Sequence, residues 1–324
     1  MSKNNMSLLH KFRIHYNGEQ SRMVARQELE RFERIMKYDL RHDLRHDLLI
    51  HEAINSTSPG ISNEKYCDEE IIVSLTTYGR RIIDVSATIE SIMQGTMKPN
   101  RIVLCLEEEL RGTVLPITLK NQMKRGLEVI YYKNIRSYKK LVPTIQKYPE
   151  ASVITIDDDA IYDYDLVEKL VNTHISHPKH VVANRIHRVV LGEDNHPLDY
   201  PLWKWLSSPE DDSPLNFATG VGGMLYPPHV LHPEVTNEKV FMDICPHADD
   251  VWFYAMTLMA GSRVVKCPTR NPSGDEFVLN ESVQDMGLCQ INITHEANST
   301  HTENDTQLKA VFDKYNLWGK LLEK

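Results

Sequence analysis

The chain has 324 residues, of which 41% are hydrophobic and 25% charged, and its formal net charge is −8. That length buries a real core, in one large domain or two small ones. The acidic balance argues against a protein whose main partner is a nucleic-acid backbone, because such proteins carry a basic excess or stripe.

No run of 18 apolar residues occurs, so no transmembrane helix is expected. Residues 1–20 lack the apolar stretch of a signal peptide. Cys67, Cys105, Cys245, Cys267 and Cys289 are widely spaced, odd in number and without a CxxC pair, so neither a zinc site nor a disulfide framework is indicated. A reducing cytoplasm is the expected setting. Asn55, Asn280, Asn292, Asn298 and Asn304 each begin an N-x-Ser/Thr triplet. With no leader peptide these are read as chance.

Residues 1–54 read as a helical extension. Leu29, Phe32, Ile35, Met36, Leu40, Leu44 and Leu48 recur at helical spacing, and an Arg-His-Asp-Leu repeat of period four sets Asp–Arg pairs beside the leucines. Such an amphipathic helix packs on the main domain or on a second subunit. A membrane-surface anchor is the sharper alternative, weakened by Asp and His on the polar side. Residues 55–69, with Ser, Pro and Gly and no periodicity, read as a linker.

The main domain follows at residues 70–300. Residues 71–76 (IIVSLT) read as a buried strand, and Ile82, Val85, Ile89, Ile92 and Met93 as a helix. Strands are expected at 101–106, 127–132, 152–156 and from His180 to Ala183. Helices are expected around 115–125, 138–148 and 166–175. Alternation of short apolar strands with helices implies an α/β fold, a mainly parallel sheet flanked by helices. Ligands of such sheets sit beyond the carboxyl ends of the strands. That edge would gather Thr76, Thr77, Tyr78 and the aspartates after Ile156. The nucleotide half is placed at about 70–185. The second half, about 186–300, is rich in proline and reads as loops and short strands around a second substrate, with a helix at 249–260 and a strand at 263–267. A closing helix is expected at 306–315 within a C-terminal segment, 301–324.

Four constellations carry chemistry. In SVITIDDDAIYDYD an apolar strand runs into Asp157, Asp158 and Asp159. On an extended chain, Asp157 and Asp159 share a face with Cα atoms roughly 6.6 Å apart, and Asp158 faces away. Two carboxylates at that range share one divalent cation, Mn²⁺ or Mg²⁺, and a cation relieves their repulsion beside a core strand. A calcium loop fits poorly, since Tyr162 stands where Gly is needed. Thr76-Thr77-Tyr78-Gly79-Arg80-Arg81 offers hydroxyls for a nucleotide and two arginines, Arg80 and Arg81, either of which could reach phosphate, without a P-loop or GxGxxG pattern. Lys139 and Lys140 precede a helix and either sit over a diphosphate or face solvent. The Gly220–Gly223 cluster permits close backbone approach to a ligand, Gly222 and Gly223 included. Trp203 and Trp205 are read either as sugar-stacking or as core residues. Asp249 and Asp250 open a helix, where a carboxylate acts as an N-cap or as a general base.

In order, SLTTYGRR, SYKKLVP, VITIDDDAIY, FATGVGGMLYPP and CPHADDVWF resemble bacterial glycosyltransferases of the GT-A fold, of the nucleotide-sugar-dependent capsule and lipopolysaccharide type, over about residues 70–316. The resemblance implies a Rossmann-type sheet, with Asp157 and Asp159 binding metal and nucleotide-sugar. Asp158, Arg81 and Lys140 join the nucleotide-sugar site, and Thr76 and Thr77 hold the nucleoside. Asp249-Asp250 matches the Glu-Asp pair of inverting members, which makes Asp250 the base. Asp in place of Glu at the first position leaves the finer assignment open. His295 and His301 are candidates for a C-terminal metal ligand. The expected partners are a nucleotide-sugar donor, UDP-linked by preference, and a glycan or lipid-linked glycan acceptor, with no nucleic acid. The N-terminal helix would serve peripheral attachment at the inner membrane face or homo-oligomerisation. A sugar nucleotidyltransferase is the competing enzyme class, disfavoured because TTYGRR has one glycine where those enzymes carry a glycine-rich basic loop. A non-catalytic carbohydrate-binding or scaffold protein is the remaining alternative.

Overall fold

A computed structural model describes residues 44–270, 277–279 and 300–323. The chain divides into two compact units, Met1–Leu48 and Leu49–Lys324. Of the predicted N-terminal helix, residues 44–55 are described and helical. Residues 1–43 of that prediction lie outside the described residues. Leu44 and Leu48, expected to form an apolar stripe, are exposed, whereas Leu49 and Ala53 are buried. Among the described residues no helix is long and apolar enough to cross a membrane.

The second unit is built on a seven-stranded sheet. Its strands are β1 (Ile71–Thr76), β2 (Arg101–Glu107), β3 (Leu127–Tyr132), β4 (Ser152–Thr155), β6 (Val181–Ala183), β10 (Met224–Tyr226) and β11 (Val264–Lys266), in the spatial order β11-β6-β10-β4-β1-β2-β3. The pairs β1–β2, β1–β4, β2–β3 and β6–β11 are parallel, while β10 runs antiparallel to both β4 and β6. One strand is therefore reversed in an otherwise parallel sheet, as expected of a mainly parallel α/β architecture. Two small antiparallel sheets accompany it: β5 (Ala160–Tyr162) with β12 (Phe277–Leu279), and β7 (Ile186–Arg188) between β8 (Lys204–Ser207) and β9 (Asn216–Ala218).

Strand pleat distributes the core between the two faces. Ile71, Val73 and Leu75 pack on one face with Ile154, Val182 and Leu225; Val153, Val181, Ala183, Met224 and Tyr226 pack on the other. Because both faces are covered, these strands read as continuous apolar runs rather than alternating ones. The first face is closed by helices α1 (Val85–Met93), α2 (Ile117–Lys124) and α4 (Leu166–Ser176). The second is closed by α6 (Asp249–Met259) and α7 (Glu303–Tyr315), with α3 (Val142–Lys147) and α5 (Glu238–Ile244) beside them.

Segment 56–69 is irregular and is pinned to the body: Gly60 N–H donates to Arg125 O, Ser62 N–H to Pro99 O, and Arg125 Nε to Ser58 O. The predicted helix at 138–148 is two pieces, a 3₁₀ turn at Arg136–Lys140 and then α3, with Pro143 in the first turn of α3 where its missing N–H costs least. The closing helix starts at Glu303 rather than 306. Thr302 caps it by accepting from Asp305 N–H, while the Asp305 carboxylate accepts from Thr302 N–H, a reciprocal capping box. We expect Thr302→Ala to lower unfolding stability by about 1 kcal/mol in urea titrations.

The reversal of β10 has a positional result. The parallel strands present their carboxyl ends at one edge of the sheet, and the antiparallel strand presents its amino end there. Gly220–Gly223, just before Met224, thus meets the residues just after Thr155 of β4 and Ala183 of β6.

Candidate active site

A cleft of about 670 Å³ opens along that edge. Thr76, Thr77, Tyr78, Arg81, Lys140, Asp157, Asp158, Asp159, Asp249 and Asp250 all line it. Val221 of the glycine loop lines it too. Gly222 and Gly223, expected at the nucleotide-sugar site, follow Val221 but do not line the cleft themselves. Gly223 has φ +87°, which favours glycine, and a Cβ on Gly222 would come within 2.5 Å of the Arg185 Cβ.

The aspartates do not continue the strand. β4 ends at Thr155, and Asp158-Asp159 form a turn leading into β5, so the expected alternation of faces does not govern them. Asp158 and Asp159 share Arg81 instead, and Asp157 takes Lys140. Asp158 is 8% exposed and accepts from Thr77 Oγ1 at 2.5 Å and Arg81 Nη1 at 2.8 Å. Thr88 Oγ1 donates to the Asp158 carbonyl at 3.0 Å. Burial pushes the Asp158 carboxyl up, and Arg81 and Thr77 counter it. Arg81 Nη2 also lies 3.2 Å from Asp159 Oδ2. The Asp157 carboxylate meets Lys140 Nζ at 2.9 Å. Tyr162 OH accepts from Asp157 N–H at 3.0 Å and donates to Val221 O at 2.9 Å, which fixes the aspartate turn against the glycine loop.

Two resident cations, Arg81 and Lys140, therefore offset the repulsion within the cluster, and a metal ion is not needed for that purpose alone. Thr76 and Thr77 both spend their hydroxyl protons inside the protein, Thr76 on Cys105 O at 2.8 Å and Thr77 on Asp158. Thr77 accordingly orients an aspartate as well as lining the cleft.

Lys140 is the junction of the site. Its Nζ lies 2.9 Å from both Asp157 Oδ1 and Asp249 Oδ2, and its side chain is 6% exposed. Burial works against its charge, yet Asp157, Asp249 and Asp250 hold its pKa well above the usual lysine value. Its neighbour Lys139 pairs with Glu107 at 3.0 Å, on the end of β2. Ser137 Oγ donates to Asp249 Oδ1 at 2.9 Å.

Asp249 and Asp250 occupy the first turn of α6, where the helix dipole favours carboxylates. Neither caps the helix: the N-cap is Ala248, with no side-chain bond. Asp250 Oδ2 accepts from Gly220 N–H at 2.9 Å, while its Oδ1 is buried with no hydrogen-bond partner among the described residues. Burial and the Asp249 charge raise the Asp250 pKa to about 7, against the lowering effect of Lys140 and the Gly220 N–H. A carboxylate with an unfilled oxygen and a pKa near neutrality is suited to take up a proton. A Cβ on Gly220 would come 2.7 Å from Lys140 Nζ and 3.0 Å from Asp250 Oδ1, so glycine there leaves room for both groups.

The donor set suits a hard divalent cation. Such an ion takes one or two protein carboxylates and fills its other positions with water and phosphate oxygens. Asp157, with a side chain 31% exposed, and Asp159 both line the cleft and could supply the carboxylates. His295 lies outside the described residues. His301 does not join them: it contacts Asp199 at 3.3 Å and Thr306, next to the Asp305 capping carboxylate. The Asp305 oxygens are already taken by Tyr200 N–H and Thr302, which accounts for that cluster without a metal.

Arg185, His187 and Tyr200 also line the cleft and were missed in the sequence. The carboxyl-edge rule carried the signal, since Arg185 lies two residues beyond the predicted strand ending at Ala183.

No family model matches this sequence, and neither does any curated protein. Among solved structures, the chain is similar to a CMP:2-keto-3-deoxy-manno-octonic acid synthetase in complex with CTP (14% identity, 62% of this chain, 89% of that one, TM-score 0.36). It is similar also to a mannosyltransferase from Pyrobaculum calidifontis in complex with GDP-Man and Mn²⁺ (14% identity, 73% of this chain, 68% of that one, TM-score 0.41). A third is a cytidylyltransferase from Leptospira borgpetersenii serovar Hardjo-bovis (11% identity, 77% of this chain, 95% of that one, TM-score 0.39). At such identities and scores the likeness extends to neither substrate nor reaction.

Proposed function

We propose that the protein is a glycosyltransferase of the GT-A kind that moves a sugar from a nucleoside-diphosphate donor to a hydroxyl of a glycan or glycolipid, with inversion. One observation carries the reading: Lys140 joins Asp157 of the strand-end cluster to Asp249 of the helix-start pair, at 2.9 Å each, so a phosphate-side acidic turn and a candidate base share one cleft. The donor lies along the carboxyl edge, its diphosphate near Asp157 and Asp159, which would hold Mn²⁺ or Mg²⁺. When bound, that ion supplies positive charge for the leaving diphosphate.

Arg81 holds the aspartate turn through Asp158 and Asp159. Asp250 Oδ1 takes the proton of the acceptor hydroxyl. The hydroxyl oxygen forms a bond to the anomeric carbon as the bond from that carbon to the diphosphate oxygen breaks. A single displacement of this kind inverts the anomeric centre. Product analysis with a matched donor and acceptor tests it, and a product that keeps the donor's configuration overturns the assignment. Release of pyrophosphate from a nucleoside triphosphate would instead identify a nucleotidyltransferase.

The acidic turn has its own test. We expect Asp159→Ala to abolish the Mn²⁺-dependent part of nucleotide-sugar affinity in calorimetry. Equal affinity in the variant would remove Asp159 from the donor site.

A further inference from the structure

We infer that Trp205 is the stacking platform for the acceptor, an uncharged pyranose ring presented by one of its C–H faces to the far side of the same cleft. The inference rests on the glycosyl-transfer reading and names its second substrate class. Of the two neighbouring tryptophans, Trp203 is core, at 5% exposure, whereas Trp205 is 41% exposed and lines the cleft.

Three features hold the ring in place. The Trp205 indole stacks on the His187 imidazole, with centroids 4.9 Å apart and planes 17° off parallel, and its Nε1 donates to Tyr200 O at 3.1 Å. His187 lies on β7 and Trp205 on the neighbouring antiparallel strand β8, and their register shifts between Ile186 and Arg188. A bulge of this kind re-aims a side chain, and bulges gather beside active sites. At that point Leu206 has φ +53°, a conformation a leucine adopts only when its surroundings impose it. Its N–H donates to His187 Nδ1 at 3.0 Å, which seats the imidazole under the indole.

The indole stacks on His187 and meets the Tyr200 ring at 62° (5.3 Å), and with both contacts made 41% of Trp205 stays exposed on the cleft. Burial and Arg185 push His187 down to about 4, so the imidazole stays neutral and accepts the Leu206 proton. A large, rigid, uncharged aromatic face is costly to leave in water and needs little ordering on binding. Its negative quadrupole face meets the weakly positive C–H hydrogens of a sugar ring. The same negative face disfavours anionic ligands.

Full-length protein with Mn²⁺ and saturating UDP or GDP is mixed with methyl glucoside, galactoside, N-acetylglucosaminide and rhamnoside, and saturation-transfer NMR maps the contacts. We expect at least one glycoside to receive saturation at the ring hydrogens of one face. Trp205→Leu, which keeps apolar bulk without a π-face, should weaken it roughly tenfold, and Trp205→Phe should retain most of the signal. The platform is overturned if nucleotide binds and no glycoside does, or if Trp205→Leu weakens the nucleotide and not the glycoside. The first result leaves the donor reading intact, and the second makes Trp205 a nucleobase platform. Glycoside binding through Trp205 with no nucleotide binding in the unaltered protein would uphold the platform and sink the donor reading.

Discussion

Asp250→Asn should lower turnover by about three orders of magnitude, the usual weight of a general base, while the nucleotide still binds. Asn keeps the shape and still accepts from Gly220 N–H, but it cannot take a proton. The pH dependence adds an independent check. The Asp250 pKa is raised to about 7, and the proposed base works in its deprotonated form, so activity should climb as pH rises through 7 and level off above it. The stability sign is opposite. A carboxyl whose folded pKa lies above its unfolded value binds more protons folded than unfolded, so its contribution is favourable at low pH and is lost as pH rises from the ordinary carboxylate range through 7. Asp250→Asn removes that loss. Its melting temperature relative to the unaltered protein should therefore be more favourable at pH 8 than at pH 5. A flat activity profile between pH 6 and 8, with the variant still active, would take the base role from Asp250.

The second large effect is structural. Lys140→Met should lower unfolding stability by about 3 kcal/mol in urea titrations at pH 8, because removing one partner of a buried ionic cluster leaves the other charges uncompensated. The figure sits at the low end of the usual range since Asp157 is 31% exposed and recovers some hydration. Lys140→Met combined with Asp249→Asn should regain part of the loss, as expected of groups in direct contact. Additive destabilisation in the double variant would mean that the 2.9 Å approach of Lys140 to Asp249 contributes no coupling.

Strands β1 to β4 were legible because strands buried on both faces leave unbroken apolar runs, such as IIVSLT and RIVLCL, that no helix period explains. The acidic cluster stood out because three carboxylates ended one of those runs. Its internal geometry did not, since the turn at Asp158-Asp159 and the partners Thr77, Arg81 and Lys140 come from tertiary contacts that local pattern does not encode. Lys140 was read as either phosphate-facing or solvent-facing, and its position between two aspartates depends on a residue on a distant helix. The strand β10 is three residues, MLY, and nothing in so short a stretch reports its direction. Trp203 and Trp205 looked equivalent in sequence. The bulge at Leu206 separated them by turning one ring into the cleft.

The reversed strand also orders events during synthesis. β10 fills the slot between β4 and β6, so β4, the strand that carries the acidic turn, has an unpaired edge until residues 224–226 have been made. At ribosomal rates that wait is on the order of ten seconds. Over that interval a nascent chain exposes an apolar strand edge, a template for pairing with another chain. Asp157 and Lys140 also wait for Asp249, which emerges later still. The Lys140 junction is thus completed only after the slot beside β4 has been filled, and a chain interrupted between β6 and β10 would carry the acidic turn on an open, aggregation-prone strand edge.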